Sequence, residues 1–177
     1  MRRVVPVAVL VLAVSVGLVY FRHGEPTFVD RIRYPLRYGQ IVRGHAKNYD
    51  LDPALVAAVI YQESKFRADA KSSSGAIGLM QLRPDTAEGI AIRTGGSRFQ
   101  VSDLYNPEIN VRYGSWYLRH LLDKYEDEET ALAAYNAGQR NVDEWRAQGK
   151  GIQFSETRAY VDRVEHLKGV YHDAYGL

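Results

Sequence analysis

Glu63 is the residue whose setting first suggests chemistry. It follows the apolar stretch Leu55-Val56-Ala57-Ala58-Val59-Ile60-Tyr61, which reads as the body of a helix with the carboxyl at its end. A carboxylate beside apolar walls loses hydration, so its pKa rises and it stays protonated near neutral pH, as a general acid must. The negative end of a helix dipole pushes the same way. On these local grounds alone, a glutamate that caps the helix or pairs with a cation is the commoner outcome, and Glu63 does not by itself fix a function. Other chemistries are poorly supplied. The absence of cysteine excludes disulfides, thiol catalysis and zinc–thiolate sites. The five histidines are scattered, with no pair at metal-ligand spacing, and no Gly-rich phosphate loop or G-x-S-x-G elbow occurs. Neither a metal nor a cofactor is expected. A net charge of +2, with no basic run interleaved with aromatics, gives no case for nucleic acid.

The residues after Glu63 change its standing. Glu63-Ser64 leads into Phe66, Ala70 and Ser72, then Gly75-Ala76-Ile77-Gly78-Leu79-Met80-Gln81, then Pro84 and Thr86-Ala87. Further along come Asn106-Pro107 with Asn110 and Gly114, then Ala134-Tyr135-Asn136-Ala137-Gly138, then Glu156-Thr157 with Tyr160-Val161. Four such segments in this order resemble the soluble lytic transglycosylase family, with its lysozyme-like helical domain, from about residue 41 to residue 171. The resemblance implies that Glu63 is the catalytic acid and base, and that peptidoglycan glycan strands are the substrate. It implies that Ser72 and Ser74 lie near the cleft, that Met80 and Gln81 line it, and that Tyr135 and Asn136 form the wall facing Glu63. Tyr160 is expected to approach the reacting sugar, and Glu156 to brace the floor through hydrogen bonds. Met80 and Tyr135 serve equally well as core residues at helical spacing. Gly75, Gly78 and Gly138 are expected to serve backbone geometry.

An ordinary glycosidase flanks the scissile bond with two carboxylates, and here Asp69, Asp85 and Glu156 are poor candidates for a second. The resemblance implies a reaction that dispenses with it. Glu63 protonates the β-1,4 oxygen between N-acetylmuramic acid and N-acetylglucosamine, the 2-acetamido group shields C1, and the sugar's own C6 hydroxyl closes a 1,6-anhydro ring. Two other readings stay open. One is a hydrolytic, lysozyme-like muramidase on the same fold. The other is a non-catalytic wall-binding or assembly protein.

The elements that must position these residues read as almost wholly α-helical, with no strand alternation and no internal repeat. Asp52 with Pro53, and Asn106 with Pro107, are cap-plus-proline helix starts. Residues 72–78 read as a loop, 79–82 as a short helix and 93–103 as irregular. Gly138 reads as a left-handed helix cap and Ser155 as the cap of the last helix. Ahead of this domain (residues 36–177), Arg2 and Arg3 precede an uncharged run over residues 4–21. The reading is an N-terminal transmembrane signal-anchor over residues 1–23 and a juxtamembrane linker over 24–35. That topology puts the domain outside the cell membrane on the wall side. A monomer is expected.

Overall fold

Residues 54–60 are at most 2% exposed, because this stretch is apolar on every side and can be stable only at the centre of the molecule. They form the body of helix α3 (Pro53–Ser64), around which the other elements of the computed structural model are arranged. The structure describes residues 26–177. In chain order these are α1 (Pro26–Arg33), α2 (Gly39–Asn48), α3, α4 (Pro84–Thr94), a 3-10 helix (Val101–Tyr105), α5 (Pro107–Tyr125), α6 (Glu128–Ala137), α7 (Gln139–Ala147) and α8 (Ser155–Tyr175). Among the described residues two isolated β-bridges, Lys71 with Ile77 and Ile77 with Leu82, are the only extended pairing. The mostly α-helical class holds.

The cap-plus-proline starts are as read from the sequence. Asp52 accepts the Ala54 N–H at 2.8 Å, and Asn106 accepts the Glu108 N–H at 2.9 Å. The long helix α8 lies along α3, and α6 packs between α5 and α8. The main core joins residues of α3 to Leu118 and Leu121 of α5, Leu132 of α6, and Val161, Val164 and Tyr171 of α8. A second, smaller core lies under α4, where Ile77, Leu82, Ile90, Leu104 and Tyr113 meet. Helix α5 serves both, and the candidate site opens between them.

Four sequence expectations are corrected here. Residues 79–81 form turns and Leu82 a bridge to Ile77 instead of a helix, because Gly78 and Gln81 adopt φ of +81° and +48° and break any helical run. Gly138 has φ 86° and ψ 145°, which is not a left-handed helix cap but a sharp joint leading straight into α7. Helix α8 begins at Ser155, but its cap residue is Phe154, and no side chain caps the end. Within the span read as a linker, residues 26–33 are helical and tied to the C-terminus. Arg31 Nε donates to the Ala174 carbonyl at 2.6 Å. The Tyr175 hydroxyl accepts the Leu36 N–H and donates to the Tyr34 carbonyl, both at 3.0 Å. The transmembrane segment read at residues 1–23 lies outside the described residues, among which no helix is long and apolar enough to cross a membrane.

Candidate active site

The last turn of α3 carries Glu63 to the floor of a cleft of about 460 Å³. Apolar burial comes first in its electrostatics: desolvation raises the carboxyl from its ordinary 4.5 to about 7, and a hydrogen bond from Tyr160 partly opposes that rise. The Tyr160 hydroxyl donates to Glu63 Oε1 at 2.8 Å. Burial, then the nearby Glu63 charge, holds the Tyr160 hydroxyl well above the usual tyrosine range. It therefore stays a donor throughout the physiological range. A carboxyl poised near neutrality and held by one fixed donor can give up a proton and take one back.

Another wall depends on a loop that tertiary hydrogen bonds pin at several points. Ser64 Oγ donates to the Leu79 carbonyl at 2.8 Å. Asn110, wholly buried on α5, accepts the Met80 N–H at 2.8 Å. Its Nδ2 donates to the carbonyls of Ile77 at 2.9 Å and Leu104 at 2.8 Å. Gly78 sits against this amide with φ +81°, and a Cβ there would overlap both Asn110 Nδ2 and Leu104 O. The pinned loop presents the Met80 carbonyl, to which the Tyr135 hydroxyl donates at 2.8 Å.

The structure gathers most of the expected residues. Glu63, Ser72, Ser74, Gln81, Tyr135 and Asn136 all line the cleft. Ser72 and Ser74 hydrogen-bond each other at 2.9 Å, and Ser72 Oγ accepts the Ala76 N–H at 3.0 Å. Gln81 Nε2 donates to the Gly78 carbonyl at 2.9 Å. Three placements differ from expectation. Met80 is wholly buried, and its side chain packs tightly over Gly114, so it is a core residue while its backbone serves the wall. Tyr160 is 3% exposed and reaches the carboxyl instead of the open cleft. Glu156 is exposed in the first turn of α8, and the brace expected of it is made next door, where Thr157 Oγ1 donates to Asn136 Oδ1 at 2.9 Å.

Among the described residues, Glu63 is the only carboxylate lining this cleft. Asp69 is exposed. Asp85 is turned to Arg83, with Nε to Oδ1 at 3.2 Å, and that hydrogen bond lowers its pKa. The described residues contain no cluster of three or more His, Asp or Glu able to hold a metal.

Residues 40–157 match the family description "Transglycosylase SLT domain". The chain belongs to this family. Over 160 aligned residues the chain is 32% identical to the soluble lytic murein transglycosylase of Salmonella typhimurium, covering 81% of the chain and 23% of the relative. It is 38% identical over 112 residues to the membrane-bound lytic murein transglycosylase C of Histophilus somni, covering 58% of the chain and 31% of the relative. Among solved structures it resembles the 70 kDa soluble lytic transglycosylase of Escherichia coli, with a TM-score of 0.75 and 29% identity over 81% of the chain and 25% of the other. The chain thus spans about a quarter of the length of the Salmonella relative. The lysozyme-like helical fold expected of the family is the fold observed.

Sequence reasoning missed some of what builds the SLT cleft. Tyr117 and Thr86 line it, and the Tyr117 ring lies 5.5 Å from that of Tyr135. Helical spacing places Tyr117 on the packing face of α5 and cannot separate a cleft aromatic from a core one. The bracing role of Asn110 did leave a signal, a polar residue within an otherwise apolar helical face.

Proposed function

We propose that this SLT domain is a peptidoglycan lytic transglycosylase. It cuts the β-1,4 bond between N-acetylmuramic acid and N-acetylglucosamine without water and leaves 1,6-anhydro ends. The observation that carries this reading is a single carboxyl raised to about 7 in a cleft lined by no second carboxylate. Direct hydrolysis through paired carboxylates needs a partner to activate water or to attack C1, and the cleft offers none. The names of the relatives point to the same reaction class.

In the proposed sequence Glu63 gives its proton to the glycosidic oxygen, and the C1–O bond breaks as the 2-acetamido oxygen shields C1. The Glu63 carboxylate then takes the proton of the C6 hydroxyl, O6 bonds to C1, and Glu63 is again protonated. No water is consumed. The attacking hydroxyl belongs to the same sugar, so its effective concentration far exceeds that of an external nucleophile. Tyr160 is a positioning residue that steadies the carboxylate between the two transfers.

Digestion of purified peptidoglycan, with the product masses read out, tests the reaction. Anhydro ends, one water lighter than reducing ends, are expected; reducing ends alone would make the protein a muramidase, and binding without turnover would remove the enzymatic reading. Tyr160→Phe probes the positioning role. The lost hydrogen bond had been lowering the Glu63 pKa, so the alkaline limb of the pH–rate profile should move to higher pH. The turnover number should fall by about tenfold because the carboxylate intermediate loses its donor. An unmoved alkaline limb would contradict that role.

We also propose that residues 4–21 anchor the protein in the cell membrane as a single span, with the domain on the wall side. The support is the uncharged run after Arg2 and Arg3, together with the membrane-bound description of the Histophilus somni relative.

A further inference from the structure

Helix α1 is turned inside out for a surface helix. Phe28, Val29 and Ile32 are 69%, 60% and 68% exposed, and at about 100° per residue they occupy one side of the helix. A helix packed by its apolar stripe would bury these three. Instead its contacts with the domain are polar: Arg31 donates to the Ala174 carbonyl, and its guanidinium lies 5.6 Å from the Tyr175 ring centre.

Charge is also sorted along the chain. Residues 26–47 carry Arg31, Arg33, Arg37, Arg43 and Lys47 against Asp30 alone. Residues 48–177 carry fifteen Lys and Arg against nineteen Asp and Glu, a net charge of −4. Arg43 reaches the Tyr175 carbonyl at 3.3 Å and the Arg31 guanidinium lies over the Tyr175 ring, so these two cations meet at the end of α8 beside α1. The Asp173 carboxylate, exposed near the end of α8, is the acid nearest in sequence to that contact. In the chain, the uncharged run ends at residue 21 and α1 begins at Pro26. The connecting chain spans at most about 17 Å.

We propose that α1 is a foot on the membrane surface. Phe28, Val29 and Ile32 enter an anionic lipid headgroup layer, and the surrounding arginines meet its phosphates. The proposal rests on reading residues 4–21 as the anchor, and it adds an orientation. The Tyr61 hydroxyl of α3 donates to the Arg33 carbonyl at 3.0 Å, and Glu63 lies two residues on, about 200° round the helix. The end of α1 at Arg33 therefore meets α3 on the side away from Glu63, while the helix itself packs on α8, and in the proposal a docked α1 turns the Glu63 cleft away from the bilayer.

The chain has no cysteine, so Phe28→Cys places an environment-sensitive fluorophore at one position only. Ile92→Cys supplies a control on α4, at a side chain 83% exposed. The full chain is reconstituted in vesicles of phosphatidylethanolamine and phosphatidylglycerol that contain headgroup-depth nitroxide lipid. The probe at position 28 should be quenched by about twofold or more and that at position 92 should not, with the quenching reduced when neutral phosphatidylcholine replaces the phosphatidylglycerol. Equal lack of quenching at both positions overturns the foot. A probe at 28 that is shielded from water yet unquenched also overturns it, since a second copy or the chain's own N-terminal residues then cover the patch. Flotation separates the two readings: a chain that floats without quenching at 28 keeps the anchor and loses the foot, and a chain that does not float loses both.

Discussion

Glu63→Gln should lower peptidoglycan turnover by at least about a thousandfold and yet yield a protein more stable than the parent at pH 8. The activity loss follows from the number of tasks. One positioned acid or base contributes about 10²–10⁴-fold, and here the same carboxyl acts in both proton transfers, so the upper part of that range applies. The fold should survive, because the glutamine oxygen still accepts the Tyr160 hydroxyl that Glu63 accepts at 2.8 Å.

The gain in stability follows from the raised pKa. Burial lifts Glu63 from an ordinary 4.5 to about 7, so below the lower value both folded and unfolded chains hold the proton and no difference arises. Between the two values the unfolded chain releases a proton that the folded chain retains, and stability falls as pH rises through that window. Above the folded value the whole cost, about 3 kcal/mol, is present. Glutamine never ionises. Chemical denaturation at pH 4.5 and pH 8 should therefore show an advantage for the variant that is large at the higher pH and small at the lower. An equal difference at both would mean that Glu63 is not held neutral by its surroundings. Substantial glycan cleavage by the variant would remove it as the acid.

How much of this was legible beforehand depended on the kind of signal each residue leaves. Helix α3 was readable because its apolar stretch and its Asp52-Pro53 start agree. The α5 start at Asn106-Pro107 was readable for the same reason. The segment after Glu63 reads as partly helical because Leu79-Met80-Gln81-Leu82 has ordinary helical propensity. Its conformation is set by Gly78 and Asn110, which are 32 positions apart in the sequence. Tertiary hydrogen bonds overrode local preference there.

The cleft residues divide in the same manner. Glu63, Tyr135 and Asn136 could be assigned because motif order carried them to the site. Met80 could not, since only the packing over Gly114 shows that its side chain points into the core. Glu156 and Thr157 are adjacent, and the sequence alone did not say which would turn toward Asn136. Helix α1 was hidden for another reason: it is only eight residues long, and its Pro26 start beside polar residues reads as a linker although Phe28, Val29 and Ile32 share one side.

Gly78→Ala should destabilise the protein by about 3–5 kcal/mol, and Asn110→Ala by a similar amount. At Gly78 an alanine must adopt a φ of +81°, which alone costs about 1–2 kcal/mol. Its Cβ would also overlap the Leu104 carbonyl, a backbone atom that cannot swing aside, and Asn110 Nδ2. At Asn110 the loss is of partners. The Met80 N–H and the carbonyls of Ile77 and Leu104 all bond to that one amide, and each buried group left unsatisfied costs about 1–3 kcal/mol. The two substitutions share a cause, so their costs should not add. With Asn110 shortened to alanine one of the two overlaps at position 78 disappears, and the double variant should lose less stability than the sum of the singles. Activity should fall with both, because the displaced loop carries the Met80 carbonyl that holds Tyr135 at 2.8 Å. Denaturation of the four proteins in the cycle measures the coupling. Strict additivity would show that Gly78 and Asn110 act on the loop independently, and that the amide is not the joint on which the cleft wall turns.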